Sequence, residues 1–211
     1  AGQGHYDHEV AGIGRVDASN LQADSRGTGR VRVLNPTSLG NGDWFFWGHN
    51  GAEIDAIDES DVPPGIQRRL SRVWRVSDVN NVGNVDLYFD MTGMGPVTAA
   101  DLRLLVDNNG TFATGGIAQY NATALACNQY AFLGIPAGGM NGQCFTLGTI
   151  NSTQTPLPIE IRSFAGEMID GDAHLKWITA TETNNHFFTI ERSLDGKTFR
   201  AAGEVRGAGT T

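Results

Sequence analysis

Lysine and cysteine are nearly missing from this 211-residue chain, which holds only Lys176 and Lys197, Cys127 and Cys144. Two cysteines without a Cys-x-x-Cys pair or a Cys/His metal spacing exclude a zinc finger and a thioredoxin-type redox motif. Charge is scarce as well: Asp, Glu, Lys and Arg make up 18% of the residues, against a usual quarter or so. The formal net charge is -8 and neither end carries a basic run, which excludes the electrostatic footprint of a nucleic-acid surface. No apolar run reaches the roughly 18 residues of a membrane helix, so no membrane span is expected. Catalytic signatures are missing too, with no Gly-x-Ser-x-Gly elbow and no His-Glu-x-x-His, and the expectation is that the chain is not an enzyme. Ala1-Gly2-Gln3-Gly4 lacks the basic-then-apolar run of a leader, so the reading expects either a processed start or a piece of a longer protein.

What the chain has is glycine and aromatic residues. Its 28 glycines have no three-residue period, which excludes collagen. Ten Phe, four Trp and four Tyr supply anchors for a packed interior. Helical periodicity is almost absent; instead, short runs of Val, Ile, Phe, Trp and Thr alternate with Gly, Asn, Asp and Pro, the strand-and-turn pattern of an all-β domain. Arg30 to Leu34, Asp43 to Gly48, Arg72 to Val76, Val85 to Asp90, Leu102 to Val106 and Cys144 to Ile150 read as strands. Arg72–Val76 and Val85–Asp90 are expected to pair antiparallel around Asn80-Asn81-Val82-Gly83. A single helical turn is expected between Pro64 and Leu70.

The polar stretch Asn151-Ser152-Thr153-Gln154-Thr155 followed by Pro156-Leu157-Pro158 marks a semi-rigid linker. The predicted organisation is an antiparallel β-sandwich over 1–150, a linker over 151–158 and about four strands over 159–211. In this last part, hairpin-type turns fall at Asp170-Gly171-Asp172 and Asp195-Gly196-Lys197. Period-two alternation sends Leu175, Trp177, Phe188 and Ile190 to one face.

Several stretches carry a family resemblance. Leu157-Pro158-Ile159-Glu160-Ile161, Leu175-Lys176-Trp177, Thr179 to Asn185, Phe188-Thr189-Ile190-Glu191-Arg192-Ser193 and Asp195-Gly196 with Phe199 resemble the fibronectin type III-like module of many secreted surface proteins of Bacteroidota. Val10 to Ser19, Trp47 to Ala52, Arg69 to Val76 and Phe145 to Ile150 are similar to the domain that often precedes that module. The resemblance implies export by type IX secretion and display at the cell surface or release, in adhesion, gliding or substrate capture; it implies no catalytic residues. A full module of this kind has about seven strands. With four, the reading expects an open half whose apolar face, formed by Leu175, Trp177, Phe188 and Ile190, is covered by another protein chain, a copy of itself first of all.

Candidate sites are few. Asp107-Asn108-Asn109-Gly110 places oxygen ligands at Asp107 and Asn109 before a glycine, the opening of a calcium loop or, alternatively, an Asx-type hairpin turn. Glu53, Asp55, Asp58, Glu59 and Asp61 repel one another unless a cation or Arg68, Arg69 and Arg72 sit among them. Cys127 and Cys144 are expected to form a disulfide worth about 3 kcal/mol on the chain-entropy argument, the alternative being two free thiols. His5, Asp7, His8 and Glu9 are metal-ligating types, but positions 5 and 8 of a strand face opposite ways. Trp44, Phe45, Phe46 and Trp47 form core or, if exposed, a stacking platform for sugar rings. The function expected is a non-enzymatic, secreted structural or adhesive protein that assembles with copies of itself. The alternative is a polysaccharide-binding accessory module of a secreted hydrolase, with surface glycans as partners.

Overall fold

The computed structural model describes residues 5–27, 30–54, 56–92, 94, 97–114, 116–138, 140–152, 161–179 and 187–207. The chain divides into two units, Ala1–Pro156 and Leu157–Thr211. Residues 153–158 of the expected linker, and Ala180 to Asn185 of the resemblance, lie outside the described residues.

The first unit is all-β. Its strands are β1 (His8–Arg15), β2 (Leu21–Gln22), β3 (Asp24–Ser25), β4 (Val31–Leu34), β5 (Trp44–His49), β6 (Ile57–Asp58) and β7 (Arg68–Leu70). They continue with β8 (Trp74–Val79), β9 (Asn84–Asp90), β10 (Leu102–Asp107), β11 (Ala118–Asn121), β12 (Thr123–Ala124), β13 (Gln129–Pro136) and β14 (Cys144–Thr149). A larger sheet runs β11-β10-β14-β8-β5-β1-β2, with β7 also on β14 and β6 on β7; a smaller one runs β12-β13-β9-β4-β3. Every pairing is antiparallel.

Alternation along each strand turns one face of each sheet toward the other. The larger sheet sends in Ile13, Phe45, Trp47, Trp74, Val76, Leu104, Phe145 and Leu147. The smaller sheet answers with Val31, Val33, Val85, Leu87, Phe89, Tyr130 and Phe132. At the centre Trp74 stacks on Phe145 at 5.7 Å and meets Phe89 edge-on at 5.5 Å, while Phe89 meets Phe132 edge-on at 5.8 Å. The Tyr130 hydroxyl donates to the Val97 carbonyl at 2.6 Å and accepts from the Val97 amide at 3.0 Å, so its burial leaves no polar atom stranded.

Two local expectations need correction. Strands β8 and β9 do not pair: the chain crosses at 80–83 from the larger sheet to the smaller. Trp74 and Val76 on one strand, and Val85, Leu87 and Phe89 on the other, are all buried. They face each other across the sandwich, where pairing side by side would have put both sets on one wall. The segment from Pro64 to Leu70 holds no helix; Ile66 closes one turn on Pro63, after which Gln67 donates to Thr149 and Arg68–Leu70 joins β14. The one helical turn among the described residues is a 3-10 turn at Ala99–Asp101.

The second unit comprises β15 (Ile161–Ile169), β16 (Asp172–Thr179), β17 (Phe187–Ser193) and β18 (Phe199–Arg206). These form two hairpins, β15 with β16 and β17 with β18. Asp170 and Gly171 take φ of 51° and 92° at the first turn, the left-handed pair that suits the twist of adjoining strands. At the second, the Asp195 carboxylate accepts from the Lys197 and Thr198 amides; these bonds hold its pKa far below the usual carboxylate value.

The aromatic contact between the sheets carries a measurable load. Phe89→Ala should lower stability by about 3–5 kcal/mol, because a buried ring leaves a cavity in both walls. Phe46→Ala, at a half-exposed ring, should cost less than about 1.5 kcal/mol. Urea denaturation of the two variants beside the parent chain gives both numbers, and equal losses would show that the central rings are not what joins the sheets.

Candidate functional sites

The outer face of the larger sheet is where side chains of chemical interest collect. Cross-strand partners share a face, and the registers Asp107↔Cys144, Cys144↔Arg75 and Gly48↔Arg75 set one row across four strands. The segments on either side of β7, the loop after β10 and the chain preceding β1 roof this row, where Ile66, Val73, Leu105, Phe112 and Cys144 form a second buried cluster with Tyr6 beside it. The Cys144 S–H donates to the Tyr6 hydroxyl at 3.7 Å, and the Arg75 guanidinium lies 5.9 Å from the Tyr6 ring centre. Burial pushes the Tyr6 hydroxyl up to about 12 and raises the Cys144 thiol, so both keep their protons at neutral pH.

The expected disulfide is therefore replaced by two free thiols, Cys127 exposed and Cys144 buried. Cys144 opens β14 in the larger sheet, whereas Cys127 sits in the turn between β12 and β13 of the smaller one. The sandwich places the two residues on different layers, which a separation in sequence does not reveal.

Asp107 is 1% exposed. Its Oδ2 accepts from the amides of Asn109 at 2.8 Å, Gly110 at 2.5 Å and Thr111 at 3.1 Å, while Asn109 Oδ1 accepts from Thr111 at 2.7 Å. Asp107 Oδ2 and Asn109 Oδ1 are thus engaged in an Asx turn, with Gly110 at φ 79° completing it. Asp107 Oδ1 is buried without a hydrogen-bond partner. Among the described residues no group of three or more His, Cys, Asp or Glu is placed to hold a metal ion.

The acidic loop meets arginine. Buried Arg69 bonds Asp58 at 2.8 Å and Asp61 at 2.7 Å through Nη2 and lies 5.0 Å from the Phe112 ring centre, while Arg68 pairs with Glu59 at 2.5 Å. Arg72 turns elsewhere, to Glu9 at 3.6 Å. Asp55 of this cluster lies outside the described residues.

Glu9 is aimed by a bulge. β1 slips in register between His8 and Ala11, and Glu9 takes φ 49°, which brings its carboxylate 3.1 Å from His49 Nε2. His49 Nδ1 accepts from the Gly51 amide at 3.0 Å, so the neutral ring carries its proton on Nε2 and donates to Glu9. His8 stacks on the same ring at 5.5 Å. Burial, together with the Arg72 charge, lowers the His49 pKa against the opposing pull of Glu9.

Farther along the same outer face, β5 splits its aromatic run. Phe45 and Trp47 are buried, while Trp44 is partly exposed and Phe46 is 38% exposed. The two outward rings stack at 6.0 Å with planes 6° apart. They pair with Gly14 and Gly12 of β1, and a Cβ on either glycine would overlap the ring lying across it. Beside Phe46 runs an open groove of ≈ 310 Å³ lined by Tyr6, Val10, Arg75, Ser77 and Asn141.

In the second unit, Leu175, Trp177, Phe188 and Ile190 line one cleft of ≈ 160 Å³ together with Phe164. Trp177 meets Phe188 at 5.5 Å and Phe164 at 6.5 Å. Phe164 is 65% exposed and Leu175 36%, and among the described residues each hairpin has one neighbour per strand and leaves its outer edges unpaired.

Two outcomes follow from these geometries. Because the folded His49 binds its proton less readily than the unfolded chain does, its contribution to stability is complete above the ordinary histidine pKa and is lost as pH falls below it. Melting temperature should accordingly fall from about pH 7 to pH 5, and His49→Gln should flatten that fall. Asp107→Ala should cost about 2–4 kcal/mol through the three amides it strands. Millimolar calcium should leave the melting temperature of the parent chain unmoved, and a rise of several degrees would show that the loop takes calcium.

No curated protein and no solved structure matches the chain. Residues 1–135, most of the sandwich, match the family described as Domain of unknown function (DUF8202), and on that extent the chain belongs to this family.

Proposed function

We propose that the chain is a non-enzymatic extracellular adhesive protein that joins to a second copy of itself through its C-terminal unit. The extracellular placement rests on the resemblance to secreted fibronectin type III-like surface proteins. The joining rests on one observation: an apolar cleft between two hairpins whose walls leave Phe164 at 65% and Leu175 at 36% exposure.

Two-stranded sheets are marginal in water without something to pack on, and an apolar surface rimmed by polar residues marks an association site. A second copy brings the same apolar cleft and the same pair of hairpin edges. Unpaired edges of both hairpins add main-chain donors and acceptors to the apolar attraction. Whether the contact closes into a dimer or propagates into a filament depends on its symmetry, and either serves a structural surface protein.

Sedimentation of the 211-residue chain over a wide concentration range tests this. Mass should rise with concentration to twice the monomer or beyond, and Phe164→Lys with Leu175→Lys should return it to monomer. A parent chain that stays monomeric throughout overturns the reading.

A further inference from the structure

We propose that the groove on the outer face of β5 is a carbohydrate site, in which a pyranose ring of a polysaccharide lies on Phe46. This site is on the first unit and is independent of the self-association proposed for the second.

The case begins with a cost. Glycine weakens a strand interior, and where it recurs there it marks a bulge or a close approach. Gly12 and Gly14 stand at alternate positions of β1, both on the outer face, each directly opposite one outward aromatic residue of β5. Without a Cβ on either, the Phe46 and Trp44 rings fold across the neighbouring strand, stacked 6.0 Å apart with planes 6° from parallel. The product is a stacked aromatic pair, left partly exposed while the other two aromatics of the same strand are sealed in the core.

The surroundings specify what would lie on it. A greasy protein segment would seek a wall of aliphatic side chains, but the groove mixes Val10 and Phe46 with Ser77, Asn141, Arg75 and Tyr6. Ser77 is the cross-strand partner of Phe46 on the same face and lines the groove with it. Asn141 lines the groove, its Oδ1 accepting from the Asp78 amide at 3.4 Å, and its NH2 is a donor. The Arg75 guanidinium is positioned against Gly142 and the Tyr6 ring. A sugar ring offers the matching pair of surfaces: a flat face of C–H groups for an aromatic plane, and a rim of hydroxyls for donors and acceptors around it. Small-ligand sites follow this division, with apolar area for affinity and a few placed polar groups for orientation. The volume of ≈ 310 Å³ is at the lower end of the usual range for such sites and suits one or two sugar units of a longer chain.

The test uses the whole chain and two defined probes, cellohexaose as a neutral oligosaccharide and a pectic hexagalacturonate as an acidic one, with a glycan array to widen the search. Titration is followed by tryptophan fluorescence, to which Trp44, stacked on Phe46, contributes. Binding of at least one probe or array glycan is expected, weakened about tenfold or more by Phe46→Ala, the equivalent of losing one buried ring face. Leu133→Ala, an exposed apolar residue on the smaller sheet, should change it less than about twofold. Binding that survives in the Phe164→Lys, Leu175→Lys chain separates this site from self-association. Absence of binding to both probes and to the array overturns the proposal, as does a Phe46→Lys variant that dissolves the assemblies of the parent, since the aromatic pair would then be an interface between copies.

Discussion

The contact of Trp74 with Phe89 and Phe145 is what makes two sheets into one body. Trp74 and Phe145 are neighbours in the larger sheet and Phe89 is the centre of the smaller, so the edge-on meeting at 5.5 Å is the point where the layers interlock. Edge-to-face rings prefer this arrangement because the positive rim of one meets the negative face of the other. The remaining core, from Ile13 to Leu147, packs around that axis, and the positions of all outward side chains follow from which way these rings point in.

That inward choice explains the two characters of the outer face. One end is roofed by loops, and there polar groups must find partners within the protein: Arg69 in two carboxylates, Asp107 in three amides, Tyr6 in the Cys144 thiol. The other end has no roof, and there aromatic residues lie across glycine. A single sheet thus carries a buried polar layer at one end and an open stacking surface at the other.

Much of this was legible in the sequence because period-two alternation is a local property. Val31 and Val33, Trp74 and Val76, and Leu87 and Phe89 all declare their buried face. What failed was non-local. The turn at 80–83 looks the same whether it joins two strands of one sheet or passes between sheets, and only the need to fill a space between layers decides it. Cys127 and Cys144 are close in sequence yet belong to different layers. Pro64 to Leu70 had the punctuation of a helix, but Arg69 is drawn into extended geometry by Asp58 and Asp61. The outward aromatic pair is half visible in the sequence: Trp44 to Trp47 reads as a cluster, but the clue to which rings face out lies in Gly12 and Gly14, some thirty residues upstream.

The place of β14 has a bearing on how the molecule comes to exist at all. This strand, every residue of which is buried, lies between β10 and β8 and also takes β7, yet it is the last strand of its unit to be synthesised. Until Cys144–Thr149 emerges from the ribosome, the middle of the larger sheet is a gap, and the strands on either side of it present raw hydrogen-bonding edges to the cell. Closure of such a sheet waits on contacts distant along the chain, which slows folding.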